Sequence, residues 1–75
     1  MSLKKDLIKQ IEGLNMEIRE LENKRTRSMA ALVEALVSKV EPDEYELQYF
    51  RHYTADIEEK RGRMLDLMVK LKHLT

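Results

Sequence analysis

The chain has 75 residues, 14 basic and 14 acidic side chains, no net charge and no cysteine. That length allows one domain at most, the charge balance argues against a broad electrostatic grip on nucleic acid or membrane, and the absence of thiols excludes a disulfide framework and thiolate chemistry. The longest apolar run, Met29 to Val33, is far too short to cross a bilayer.

The opening Met1-Ser2-Leu3-Lys4-Lys5-Asp6 leads into an amphipathic pattern and not into an apolar signal core, so a cytoplasmic location is the expectation. From Leu3 to Val40 there is no proline and one glycine. Leu7, Ile11, Leu14, Ile18 and Leu21 alternate at spacings of four and three, the heptad seam of a helix that packs on another helix. Glu17, Glu20 and Lys24 fill the outside. The pattern then slips. The next seam places are Arg25 and Ser28, and an apolar stripe resumes at Met29, Leu32, Leu36 and Val40. Such a slip is a stutter, which unwinds a supercoil locally.

Past the slip, Ala30, Ala31, Val33, Ala35 and Val37 widen the stripe to most of the circumference. A helix apolar nearly all round is expected to be buried nearly all round, and one partner helix cannot do that. The expectation is therefore a bundle of at least four helices, reached by dimerisation. Gly13 reads as a tolerated surface glycine or as a point where a neighbouring helix comes close.

Glu41-Pro42-Asp43-Glu44 holds the only proline of the chain. Proline ends one helix or opens the next, and it disfavours helical geometry at the residue before it. Pro42 suits the first position of a second helix, with Asp43 and Glu44 in its first turn and Lys39 in the last turn of the first. The pattern predicts an all-α fold with one helix over about 3–40, a turn at 41–42 and a second helix over about 42–74. So short a connection makes the helices antiparallel neighbours, a helical hairpin expected to self-associate into a four-helix bundle. The glycine or asparagine that usually stops a helix is missing.

The second helix has a seam at Leu47, Phe50, Thr54, Ile57, Arg61, Met64, Met68 and Leu71. All four aromatics, Tyr45, Tyr49, Phe50 and Tyr53, fall in its first third. Folding the arms about the hinge sets them opposite Ala30, Ala31, Val33 and Ala35, large against small, as facing helices interdigitate. The other reading is an exposed aromatic patch that anchors a partner. The same register pairs Arg25 with Glu58, Arg61 with Glu22, and Arg27 with Asp56. Charges at those places would hold the register more than they would add stability. Gly62 beside them marks a kink, a close crossing or a break in the helix.

No catalytic, cofactor or metal-binding motif is present. His52 with Asp56 one turn on reads as a solvated helix face, and the Glu-x-x-His pairs of a di-iron bundle are absent. The run Leu7, Ile11, Leu14, Ile18, Leu21, Arg25 resembles the opening helix of the small helical chorismate mutases. The resemblance implies a remote enzymatic alternative, in which Arg25 helps cations recognise two carboxylates. Where that family carries an arginine near the helix start and a lysine toward its end, this chain has Ile8 and Leu36.

The expected function is non-enzymatic: a protein–protein interaction module acting as a homodimer, an adaptor, a regulator or a small chaperone that covers an apolar helix of another protein. Its expected working surface is Met29, Leu32, Val33, Leu36, Val37 and Val40 with Tyr45, Tyr49, Phe50 and Tyr53. The alternative is a nucleic-acid-binding regulator using Lys24, Arg25, Arg27, Arg61 and Arg63 as a basic belt, although Glu20, Glu22, Asp56, Glu58 and Glu59 share that zone.

Overall fold

The computed structural model of the chain describes residues 2–74, and these form two helices, α1 (Leu3–Val37) and α2 (Glu44–His73). Lys60 of α2 meets Glu17 of α1, and Ser28 of α1 meets Glu46 of α2, so the helices run antiparallel as a hairpin. The hairpin is a rod of 56 × 15 × 14 Å. Its radius of gyration, 17.0 Å, exceeds the ~11 Å of a compact domain of this length, because two helices side by side have no third layer to fold against. Among the described residues no helix is long and apolar enough to cross a membrane.

The connection is longer than the sequence predicts, and its two ends have separate causes. α1 stops at Val37, three residues short of Val40. The Val40 N–H donates to the Ala35 carbonyl at 2.8 Å and the Lys39 N–H to the Leu36 carbonyl at 3.1 Å. This pair of bonds is the Schellman arrangement, in which the residue after the cap turns left-handed. Lys39 takes that conformation, with φ of 59°. The chain therefore stops its helix as a glycine would, with a lysine in the glycine's place.

α2 begins at Glu44, so Pro42 lies outside the helix and not at its first position. Asp43 is the N-cap. Its side chain accepts from the Tyr45 N–H at 3.2 Å, and its carbonyl accepts from the Leu47 N–H at 3.1 Å. Glu44 and Glu46 then face the positive end of the helix, and Lys70, Lys72 and His73 the negative end. Neither end needs Pro42 inside a helix. α2 also runs unbroken through Gly62.

The seam of α1 corrects the expected slip. Leu7, Leu14, Ile18, Ser28 and Leu32 are buried, and Ile11, Leu21, Arg25 and Ala35 are half-buried. These places alternate at four and three from end to end. The heptad continues through Arg25 and Ser28, so no stutter is needed. On α2, Ile57 is fully buried, and Phe50, Met64 and Leu71 keep its seven-residue period. The row beside them is Glu46, Tyr53, Lys60 and Leu67, all half-buried. The expected row was Leu47, Thr54, Arg61 and Met68, of which only Thr54 is half-buried. The Lys60 side chain is 21% exposed, its stem lying along the seam and its ammonium near Glu17 at the border.

Candidate interaction surface

Because both seams are heptads, each is bordered by two rows. On α1 one border is Ile8, Asn15, Glu22, Met29 and Leu36, and the other is Gln10, Glu17, Lys24 and Ala31. On α2 they are Leu47, Thr54, Arg61 and Met68, and Tyr49, Asp56, Arg63 and Lys70. In an antiparallel pair like borders meet. Arg61 donates to Glu22 at 2.6 Å on the first side. On the second, Glu17 comes within 3.8 Å of Lys60 and shares a shallow groove with Gln10, Gly13 and Arg63.

The two sides differ in chemistry. The first side is apolar at both ends. Met29, Leu36 and Leu47 lie toward the hinge and Ile8 and Met68 toward the open end, with exposures from 36% at Ile8 to 63% at Leu36. Val33 and Leu65 stand exposed in the next row out, and Val40 in the connection beyond α1. The Glu22–Arg61 pair sits between the two apolar ends, its side chains 37% and 52% exposed. The second side carries charge and tyrosine. Tyr49 and Tyr53 stack with ring centroids 6.5 Å apart, and both line a groove with Lys24, Arg27, Ser28 and Glu46.

The expected interface residues are thus divided. Met29, Val33, Leu36, Val37 and Val40 are exposed, but Leu32 is buried in the hairpin seam and takes no part in an outer surface. Phe50 is half-buried beside Arg25, Thr26 and Met29. Tyr45 and Tyr49 are exposed and Tyr53 half-buried. Of the residues expected to face the aromatics, Ala30, Ala31 and Val33 are exposed and Ala35 is half-buried. Ile8, Leu47, Leu65 and Met68 join the apolar side without having been singled out for it. Leu47 and Met68 are apolar and fit the heptad of a core row, yet both are exposed.

Of the expected ion pairs, Arg61 with Glu22 is present. Among the described residues no ion pair joins Arg25 to Glu58 or Arg27 to Asp56. Arg61–Glu22 keeps the expected register, so the missing Arg25 pair reflects which way the helices face: Arg25 is half-buried in the seam, whereas Glu58 is exposed outside it. Arg25 instead lies in the seam near Phe50, and Arg27 near Tyr49 and Tyr53. The five cations of the proposed belt are divided as well. Lys24, Arg27 and Arg63 border the tyrosine side, interleaved with Glu17, Glu20 and Asp56, while Arg61 is held by Glu22 on the other side.

No family model, curated protein or solved structure matches the chain. The functional reading therefore stands on the surface alone. The groove at Arg25 is lined by Thr26, Met29 and Phe50, with no second cation to share a dicarboxylate. Among the described residues no group of three or more His, Cys, Asp or Glu side chains is placed to hold a metal ion. His52 is exposed, with its ring 6.4 Å from that of Tyr53.

Proposed function

We propose that the chain is a non-enzymatic protein–protein interaction module that acts as a homodimer, two hairpins completing one four-helix bundle. The observation that carries this reading is the apolar side bearing Met29, Leu36, Leu47 and Met68 on a rod too thin to cover it. The chain exposes 6157 Å². A compact monomer of its mass, 8.9 kDa, exposes about 4,800 Å². The excess of about 1,300 Å² is more than the ~800 Å² that each partner contributes to a standard interface. A second copy is the simplest occupant, since net charge is zero and no like-charge repulsion opposes self-association.

With the apolar side covered, the tyrosine side is the outward working face. Tyr49 and Tyr53 offer rigid amphipathic anchors, and Lys24 and Arg27 beside them offer charge. The cytoplasm is the proposed compartment.

Mass in solution by light scattering tests the reading. The expected result is twice the chain mass at micromolar concentration. A well-folded monomer there would overturn it. A molten, aggregating monomer would point instead to a missing hetero-partner, with the hairpin covering an apolar helix of another protein.

A further inference from the structure

We propose that the open end of the rod carries a binding groove for a single-chain amphiphilic anion, an alkyl chain ending in a carboxylate. The inference goes beyond the homodimer reading and does not depend on it. The groove is lined by Leu3, Leu7, Lys70, His73 and Leu74 and has a volume of about 440 Å³. The four other grooves described along the rod hold 210 to 310 Å³.

The groove has its origin in the α1 seam. One heptad before Ile11 the seam reaches Lys4, which is exposed where an apolar side chain would close the end of the hairpin. The last apolar place, Leu7, is 5% exposed and forms the floor. Leu3 and Leu74 flank it, 62% and 48% exposed. Leu3 stands one heptad before Gln10, in the border row of the tyrosine side, and Lys70 stands in the matching row of α2. The groove therefore opens away from Met29, Leu36, Leu47 and Met68, and a second copy seated on those residues leaves it free.

Size selects the kind of occupant. The volume falls within the ~300–1,000 Å³ of small-molecule sites. The lining spans only Leu3 to Leu7 on α1 and Lys70 to Leu74 on α2, little more than one turn of each. An amphipathic helix of another protein anchors through residues spread over two turns and would overhang so short a groove. An alkyl chain can lie along the leucines, and each methylene it removes from water favours binding.

Charge selects the head group. Lys70 and His73 are the polar side chains of the groove, both exposed, and among the described residues neither has an ion pair. The carbonyl end of α2 beside them is negative, so the backbone there cannot hold an anion. The Lys70 ammonium can, with His73 as a second donor. Residues 2–12 and 63–74 together carry six lysine and arginine side chains against the carboxylates of Asp6, Glu12 and Asp66, and none of those three lines the groove. A carboxylate head is thus matched and a cationic head is opposed.

Titration of the full chain with dodecanoate, followed by nuclear magnetic resonance below the concentration at which the ligand forms micelles, tests the site. The expected result is saturable shifts at Leu3, Leu7, Lys70, His73 and Leu74, with Met29, Leu36 and Leu47 unmoved. Lys70→Glu is expected to weaken binding roughly tenfold or more, and dodecyltrimethylammonium, with the same tail and a cationic head, to bind the parent more weakly by a similar factor. Lys70 is exposed, so the variant keeps both seams, and circular dichroism checks that it is folded. Shifts centred on the apolar side, an unchanged affinity in Lys70→Glu, or equal binding of the cationic amphiphile would overturn the proposal. So would open-end shifts that grow with protein concentration alone, which would give the groove to a second copy.

Discussion

The Ser28 hydroxyl donates to the Glu46 carbonyl at 3.2 Å, joining the hinge-side third of α1 to the first turn of α2. Ser28 is 3% exposed and holds a seam place in the row of Leu7, Leu14, Leu21 and Ala35. A small side chain there lets the start of α2 close on α1, and the bond leaves its hydroxyl satisfied. Ser28→Ala is expected to cost about 1 kcal/mol, the net worth of one hydrogen bond. Ser28→Leu, though it completes the heptad on paper, is expected to cost about 1–3 kcal/mol by overpacking. Urea unfolding of the two variants checks the order; a more stable leucine variant would show that the site has room.

Lys39 holds φ of 59° to end α1, a conformation that costs an L residue about 1–2 kcal/mol and glycine almost nothing. Glycine also gains freedom in the unfolded chain, which offsets part of the benefit. Lys39→Gly is expected to stabilise the fold by about 0.5–1 kcal/mol after that offset. Lys39→Val, β-branched, should lower the melting temperature. Thermal unfolding of both against the parent measures the contrast, and equal melting temperatures would place the left-handed turn elsewhere.

Ile57 is 0% exposed, and Val37 is 76% exposed. Ile57→Ala removes the best-packed side chain of α2 and is expected to cost about 2–5 kcal/mol, enough to unfold much of a domain this small. Val37→Ala is expected to stay within about 0.5 kcal/mol. Far-ultraviolet circular dichroism against denaturant separates them; an Ile57→Ala protein as stable as the parent would contradict the seam.

At neither Gly13 nor Gly62 does any atom beyond the local helix backbone come within 4 Å of where a Cβ would stand. Within the hairpin the close-approach reading of both glycines is thereby excluded, and the continuity of α2 excludes a break at Gly62. Each lies inside a helix, where glycine is about 1 kcal/mol worse than alanine. Gly13→Ala and Gly62→Ala are each expected to add about 0.5–1 kcal/mol, and to add independently. A loss in either variant would locate a neighbour at that glycine that a single hairpin does not contain.

The helical hairpin was legible in the residues because its cause is local. Heptad spacing, a single proline and an acidic start to the second arm each bias the backbone wherever the chain folds. The segment from Met29 to Val40 was also legible as apolar nearly all round; in the hairpin Met29, Val33, Leu36, Val37 and Val40 stand exposed, while Leu32 belongs to the inner seam. Other features depended on the second helix. The stop of α1 looked incomplete without a glycine, and it took the backbone to show Lys39 in glycine's role. The slip at Arg25 and Ser28 looked real because neither residue is apolar; packing shows that a half-buried arginine and a bonded serine continue the same heptad.

Sequence alone determined that the chain makes two amphipathic helices with more apolar surface than two helices can bury, since periodicity and composition are properties of the strand of residues itself. Only the tertiary structure decided which rows of α2 turn inward. Leu47 and Met68 are the more hydrophobic choice over Glu46 and Lys60, yet the seam takes the latter row, with Tyr53 and Leu67. The reason is that a row is chosen for the whole helix at once. The register set by Ser28, Ile57 and the connection at 38–43 leaves Leu47 and Met68 on the outside, beside Met29 and Leu36.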